Sequence, residues 1–271
     1  MLRVLTWNLW WRFGDWRARQ DAVVAVLREA RPDVVCLQEV WVGEEESQVD
    51  VLGDLLGMTG VVQLSPSPGR WHRRLGDDRF GIANAVLSRW PIGARTSLVL
   101  PAAASEPAER TVLHAVVDAP AGPVPVFTTQ LESAPAASAT RQEQVRAIVP
   151  FVAHHSRYAH PPVVTGDLNA EADSDEVRLL GGHKTAPVVP GLVLVDAWRW
   201  ADPHDPGWTW DPRNPHVAAT CEPGARIDHV LVGAPGAGGT GAVRHVALVG
   251  DRPVAGVWPS DHAGVLAVLG P

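Results

Sequence analysis

The sequence predicts an α/β fold in which two mixed sheets pack face to face with helices outside. Three observations carry this. Apolar runs of strand length outnumber segments with helical spacing. Strand–helix–strand units alternate with hairpins. No composition break or short-period repeat divides the chain of 271 residues, so residues 1–271 are expected to form a single domain.

The elements follow in order. Residues 4–9 read as a strand ending around Asn8. Residues 15–30 place Ala22, Val23, Val26 and Leu27 at helical spacing, and Pro32 closes that segment. Residues 34–40 form an apolar strand that carries Glu39, a carboxylate rarely buried without a partner. A helix over 47–56 and a strand over 60–64 come next. Residues 65–80, rich in Pro, Gly, Arg and Asp, read as a surface loop. Strands over 82–88 and 94–100 flank a turn at Pro91, and 101–107 is a loop of small residues. Residues 111–118 and 123–130 form a hairpin. A helix over 138–155 lines up Val145, Ile148, Val149 and Val152. A short helix over 174–180, a strand over 192–196, an irregular loop over 198–225 and a strand over 226–232 follow. The glycines of 233–241 lack a phosphate-loop lysine and read as a connection. Strands over 243–249 and 264–269 finish the chain.

Composition narrows the class. A hydrophobic content of 46% supplies a full core, and a charged content of 20% excludes a disordered chain. A net charge of −7 weighs against tight, salt-driven binding of duplex nucleic acid. Two cysteines, Cys36 and Cys221, are too few for a disulfide scaffold, and no close pair suggests zinc. Cys36 lies in an apolar strand and reads as a small buried hydrophobe. No apolar run approaches the ~20 residues that span a bilayer. No charged leader followed by an apolar run is visible, so a cytoplasmic protein is expected, and a monomer.

The chemistry gathers at strand ends. Val163, Val164 and Thr165 run into Gly166, which can turn the chain sharply, and Asp167 and Asn169 follow into one cleft. Asn8, Glu39, Gln130, Asp228, Asp261 and His262 also end or adjoin apolar strands. A set of oxygen ligands with little sulfur or histidine suits a hard cation, Mg2+ or Mn2+. Asp228 can orient His262 and favour its protonated form.

Five segments occur in a telling order: Thr6-Trp7-Asn8-Leu9, Leu37-Gln38-Glu39-Val40, Gly166-Asp167-Leu168-Asn169-Ala170, Arg226-Ile227-Asp228-His229 and Ser260-Asp261-His262. In these the chain resembles the endonuclease/exonuclease/phosphatase superfamily, which includes pancreatic-type deoxyribonuclease, apurinic endonuclease, tyrosyl-DNA phosphodiesterase, neutral sphingomyelinase and inositol polyphosphate 5-phosphatases. The resemblance implies a four-layered α/β sandwich with two mixed, mostly antiparallel sheets. It implies a divalent-metal-dependent hydrolase of phosphoester bonds, a phosphodiesterase or nuclease. By that resemblance Glu39 is the main metal ligand, and Asn8 and Asp261 complete the shell. Asp167 orients or deprotonates the attacking water, and Asn169 holds that water or a phosphate oxygen. His262 contacts the scissile phosphate, and Asp228 fixes its ring. The expected partner is a phosphoester: nucleic acid, a phospholipid head group or a small phosphorylated metabolite.

One position departs from the pattern. Where the family usually has Thr-His-Leu, this chain has Thr129-Gln130-Leu131. Gln130 can donate a hydrogen bond to phosphate but carries neither proton nor charge. Arg110, entering the preceding strand, is the expected helper, and Glu132 is a lesser substitute. The alternative reading is a binding module that kept the fold and lost catalysis.

Other polar and aromatic residues have plainer readings. His114 reads as packed or surface, and His154 and His155 as suiting a helix C-terminus. Trp10, Trp11, Trp208 and Trp210 read first as packing residues, with a substrate wall as the second reading. The run Arg70, His72, Arg73, Arg74 and Arg79 reads as a solvated loop that would attract phosphate if it bordered the cleft. Asp77 and Asp78 are candidates for a further carboxylate near the site.

Overall fold

The structure, a computed structural model, describes residues 1–104 and 106–270. The described residues form two six-stranded sheets. The first has the order β11 (Val243–Val249), β12 (Gly264–Leu269), β1 (Leu2–Asn8), β2 (Val34–Val42), β4 (Gly81–Ser88), β3 (Thr59–Leu64). The second runs β5 (Ile92–Val99), β6 (Thr111–Ala119), β7 (Gly122–Gln130), β8 (Val163–Asp167), β10 (Asp228–Gly233), β9 (Leu194–Asp196). Each sheet holds one parallel pair, β1 with β2 and β7 with β8, and the other pairings are antiparallel.

The strand sequences explain the layering. Alternate residues of one strand enter different cores, because side chains on a strand point to opposite faces. Val4, Val34, Cys36, Val126, Val163 and Val230 fill the space between the sheets. Their neighbours Leu5, Trp7, Val35 and Leu37 face α1 (Trp16–Ala30) and α2 (Gln48–Leu56). Phe127, Val164 and Leu231 face α4 (Ser138–His155) and α5 (Asp175–Gly181). Central strands covered on both faces read as unbroken apolar runs for this reason. The expected four-layered sandwich is present.

Local signals set the helix ends. Asp15 caps α1 by accepting from Ala18 N, and Arg31 closes it in the left-handed conformation before Pro32. Ser47 and Asp50 form a reciprocal capping box on α2. The strands and the long helices lie where the sequence puts them, with ends shifted by a residue or two.

Two stretches read as irregular contain helix. Within 65–80, α3 (Gly69–Leu75) forms because Trp71 is buried against Trp11, Phe13, Trp41 and Ile82. One aromatic anchor outweighs the prolines and glycines around it. Within 198–225, α6 (Pro215–Ala218) is a single turn capped by Asn214. The loop expected at 101–107 includes Ser105, which lies outside the described residues.

His114 is buried and stacks on Phe127 at 4.6 Å and His155 at 4.9 Å between ring centroids. Burial pushes its pKa down to about 4, so it is neutral and belongs to the core. Cys36 is also buried.

Candidate active site

The topology brings the polar strand ends to one edge of the sandwich. Parallel strands β1 and β2 end on the same side, as do β7 and β8. Their antiparallel neighbours β12 and β10 begin there. Asn8 closes β1, Gln130 closes β7, Asp167 closes β8 and Asp228 opens β10. Asp167 sits in register with Gln130 on one side and Asp228 on the other. Asp261 and His262 lie just ahead of β12.

Glu39 reaches this edge through a backbone irregularity. The pairing of β2 with β4 slips between Leu37 and Val40, and Glu39 takes φ 54°. A bulge of this kind re-aims a side chain. Trp10, Trp11 and Asn169 also have positive φ, and non-glycine residues held there cost energy that the surroundings must supply. At Gly166 the reason for glycine is space: a Cβ would lie 2.0 Å from the Thr129 carbonyl oxygen.

The side chains form one connected run. Asn8 Nδ2 donates to Asp167 Oδ2 at 3.0 Å, and Asn8 Oδ1 accepts from Trp10 N at 2.9 Å. Gln130 Nε2 donates to Glu39 Oε1 at 2.7 Å and to Asp167 Oδ2 at 3.1 Å. Arg110 Nη1 donates to Gln130 Oε1. Asn169 N donates to Asp167 Oδ1 at 3.0 Å, and Asn169 Nδ2 to the Leu131 carbonyl at 3.1 Å. His262 Nδ1 bonds Asp228 Oδ2 at 2.8 Å. Of the nine residues singled out in the sequence, eight line one open cleft of about 910 Å³; Asp228 sits behind it, fully buried, under His262.

The remaining expectations divide. Trp10 and Trp210 line the cleft, and Trp210 packs edge-on against His262 at 5.0 Å. Trp11 is core, and Trp208 is exposed outside the cleft. Arg70 and Arg74 border the cleft, but Arg70 is held by Glu109 and Glu132, each at 3.0 Å. Asp77 and Asp78 do not line it, and Asp77 pairs with Arg12 and Arg79.

Three contributors escaped the sequence reading. Trp71 lines the cleft from α3. Thr209 Oγ1 accepts from Asp228 N at 3.1 Å and so fixes the start of β10. Arg19 is buried and donates to the carbonyls of Leu9, Trp10, Trp11, Phe13 and Pro259 at 2.8–3.1 Å. It ties the loop after Asn8 to the loop before Asp261. Its signal was visible: Arg19 stands on the same helical stripe as Ala22, Val23 and Val26.

The chain's sequence matches the Endonuclease/Exonuclease/phosphatase family over residues 5–262. The chain belongs to the endonuclease/exonuclease/phosphatase family. Members of this family are in general metal-dependent phosphoester hydrolases. Similar solved structures include D. rerio TDP2 complexed with single strand DNA product, at 20% identity and TM-score 0.75, covering 100% of this chain and 99% of that one. The human nocturnin catalytic domain with bound sulfate anion is 18% identical at TM-score 0.71, covering 98% and 92%. A family protein from Beutenbergia cavernae DSM 12333 is 24% identical at TM-score 0.68, covering 99% and 72%. No curated protein matches the chain by sequence.

Electrostatics distinguish two places a family metal can sit. Asp167, Asp228 and His262 offer ligand atoms within 4.8 Å of one another. Burial opposes charge on His262, yet the charges of Asp228 and Asp167 and the bond to Asp228 outweigh it and raise its pKa well above the usual value. Burial likewise raises Asp228, and the pair keeps its proton as a unit. Asn8, Glu39 and Asp261 also line the cleft, and their side-chain oxygens are the donor type of a hard divalent ion. Asp261 is pushed up to about 7, first by burial and then by Glu39, with His262 and Arg19 opposing. A cation beside those carboxylates would relieve both effects, so this donor set fits the group.

Proposed function

We propose that this chain is a metal-dependent phosphodiesterase, that residues 1–271 act as one unit, and that Glu39, with Asn8 and Asp261, holds Mg2+ or Mn2+. The observation that carries the reading is the hydrogen-bonded run Asn8–Asp167–Gln130–Glu39 beside the Asp228–His262 pair in one cleft. When bound, the divalent ion supplies charge neutralisation at the phosphoryl oxygens. Asp167 accepts three N–H donors, which fix its carboxylate in one orientation. Held so, it aligns a water for in-line attack and takes its proton. His262 has Nδ1 on Asp228, so its protonated Nε2 is the hydrogen-bond donor for a phosphate oxygen, and Asp228 balances the ring's charge. Asn169, anchored through Leu131, keeps a second amide N–H for the same water or a phosphate oxygen.

The cleft lining carries seven carboxylates and four arginines. Trp10, Trp71 and Trp210 give it flat apolar surfaces. These features support a compact phosphodiester with a stackable group, such as a short single-stranded end, over a long duplex. The single-stranded DNA product bound to D. rerio TDP2 is in keeping with that choice. The intact run of site residues does not favour a non-catalytic binding module.

Purified protein is expected to hydrolyse bis-p-nitrophenyl phosphate with Mg2+ or Mn2+, to stop with EDTA, and to act on short single strands in preference to duplex. Silence with every metal across DNA ends, sphingomyelin and nucleotide diesters would refute the proposal.

A further inference from the structure

We infer that Gln130, oriented by Arg110, is a positioning residue that clamps Glu39 and Asp167 together and does not itself contact the substrate phosphate. The inference rests on the phosphodiesterase reading above and assigns a task to the residue in which this chain departs from the usual family pattern.

The amide's direction is settled by chemistry. A guanidinium has donors only, so the atom of Gln130 facing Arg110 must be the carbonyl oxygen Oε1. The NH2 group therefore points the other way. Its two hydrogens meet two acceptors, Glu39 Oε1 at 2.7 Å and Asp167 Oδ2 at 3.1 Å. Both donors are thereby committed, and no N–H of Gln130 remains for a phosphate oxygen.

The partners are built for this. Arg110 is buried, at 4% exposure, and burial, with the charge of Arg70, lowers its pKa. It lies beside Trp71 at 5.2 Å from the ring centroid, and its Nε is 3.8 Å from Glu132. Glu132 sits between the two guanidinium groups, 3.0 Å from Arg70 and 3.8 Å from Arg110, and so offsets their mutual repulsion. Gln130 and Asp167 are themselves nearly inaccessible to solvent. Two carboxylates on facing sheets repel each other, and a neutral amide with two donors draws them together without adding charge. Glu39 comes from β2 and Asp167 from β8, so the clamp sets the distance between the proposed metal ligand and the proposed base across the sandwich.

The test uses Gln130→Met, Arg110→Met and the double variant in the full chain. Two readouts are needed: kcat and KM on bis-p-nitrophenyl phosphate with Mn2+, and Mn2+ affinity by calorimetry without substrate. Each single variant is expected to lose about 10–100-fold in kcat and to weaken Mn2+ binding by a similar factor, the usual cost of removing a partner behind a metal ligand. KM stays within about twofold, and the double variant is no worse than Gln130→Met, because Arg110 acts through Gln130. If Gln130→Met does not fold, Arg110→Met carries both readouts alone. A raised KM with unchanged kcat would overturn the clamp and make Gln130 a phosphate donor. Additive losses in the double variant would overturn Arg110's part. Weaker Mn2+ binding in the variants of an inactive wild type would sink the phosphodiesterase reading and leave the clamp standing. Unchanged Mn2+ affinity in an active enzyme would do the reverse, and a wild type that binds no Mn2+ overturns both.

Discussion

Asp167→Asn is expected to lower kcat by a factor on the order of 10³, with the chain still folded. The carboxylate of Asp167 receives Asn169 N on one oxygen and both Asn8 Nδ2 and Gln130 Nε2 on the other. Three donors aimed at one side chain suit an acceptor that has no hydrogens. An asparagine must turn its own NH2 towards a donor on one side. That leaves a buried polar group unpaired and costs about 1–3 kcal/mol of stability. The rate loss has a separate origin, since the neutral amide cannot accept the proton of an attacking water. A lowered melting temperature with retained turnover would separate the two effects and remove Asp167 from the chemistry. The measurement is steady-state kinetics on bis-p-nitrophenyl phosphate beside thermal unfolding.

His262→Ala is expected to cost on the order of 10²-fold in kcat and about 3 kcal/mol in stability. The second figure comes from Asp228. Its carboxylate has no exposed surface, Oδ1 has no hydrogen-bond partner among the described residues, and Oδ2 has His262 as its counter-charge. Removing the imidazolium leaves a buried charge alone. The double change Asp228→Asn with His262→Ala takes that charge away, so it should regain most of the stability and none of the activity. Urea denaturation of the wild type and the two variants checks this. Equal stability of the single and double variants would mean that the pair is not the ionic unit described here.

Much of this was legible in the sequence because strand ends announce themselves. Apolar runs that stop at Asn8, Gln130 and Asp167, and one that starts at Asp228, left polar side chains at the end of the sandwich where the parallel pairs terminate. The double-sided burial of β1, β2 and β8 wrote unbroken hydrophobic runs. What the sequence hid depends on contacts between distant residues. The helix at Gly69–Leu75 exists because Trp71 finds a pocket of Trp41 from β2, Ile82 from β4 and Trp11 and Phe13 from the loop after β1. The role open to Gln130 could not be read from its own chemistry. A lone glutamine can donate to phosphate, but one locked by Arg110 with two carboxylates in reach has no donor left over. The conformation of Glu39 was equally invisible, since a bulge with positive φ has no sequence mark at a glutamate. The carbonyl-gathering role of Arg19 needed the loop geometry, although its place on an apolar stripe was a hint.

In the proposed mechanism Glu39, Asn8 and Asp261 together hold a divalent cation at the end of the sandwich where Asp167 and His262 wait. Anomalous diffraction from crystals soaked in Mn2+ tests it most directly. One strong peak is expected about 2.1 Å from a Glu39 carboxylate oxygen, with Asn8 and Asp261 around it and Asp228 still bonded to His262. A peak seated on Asp167, Asp228 and His262, away from Glu39, would contradict it.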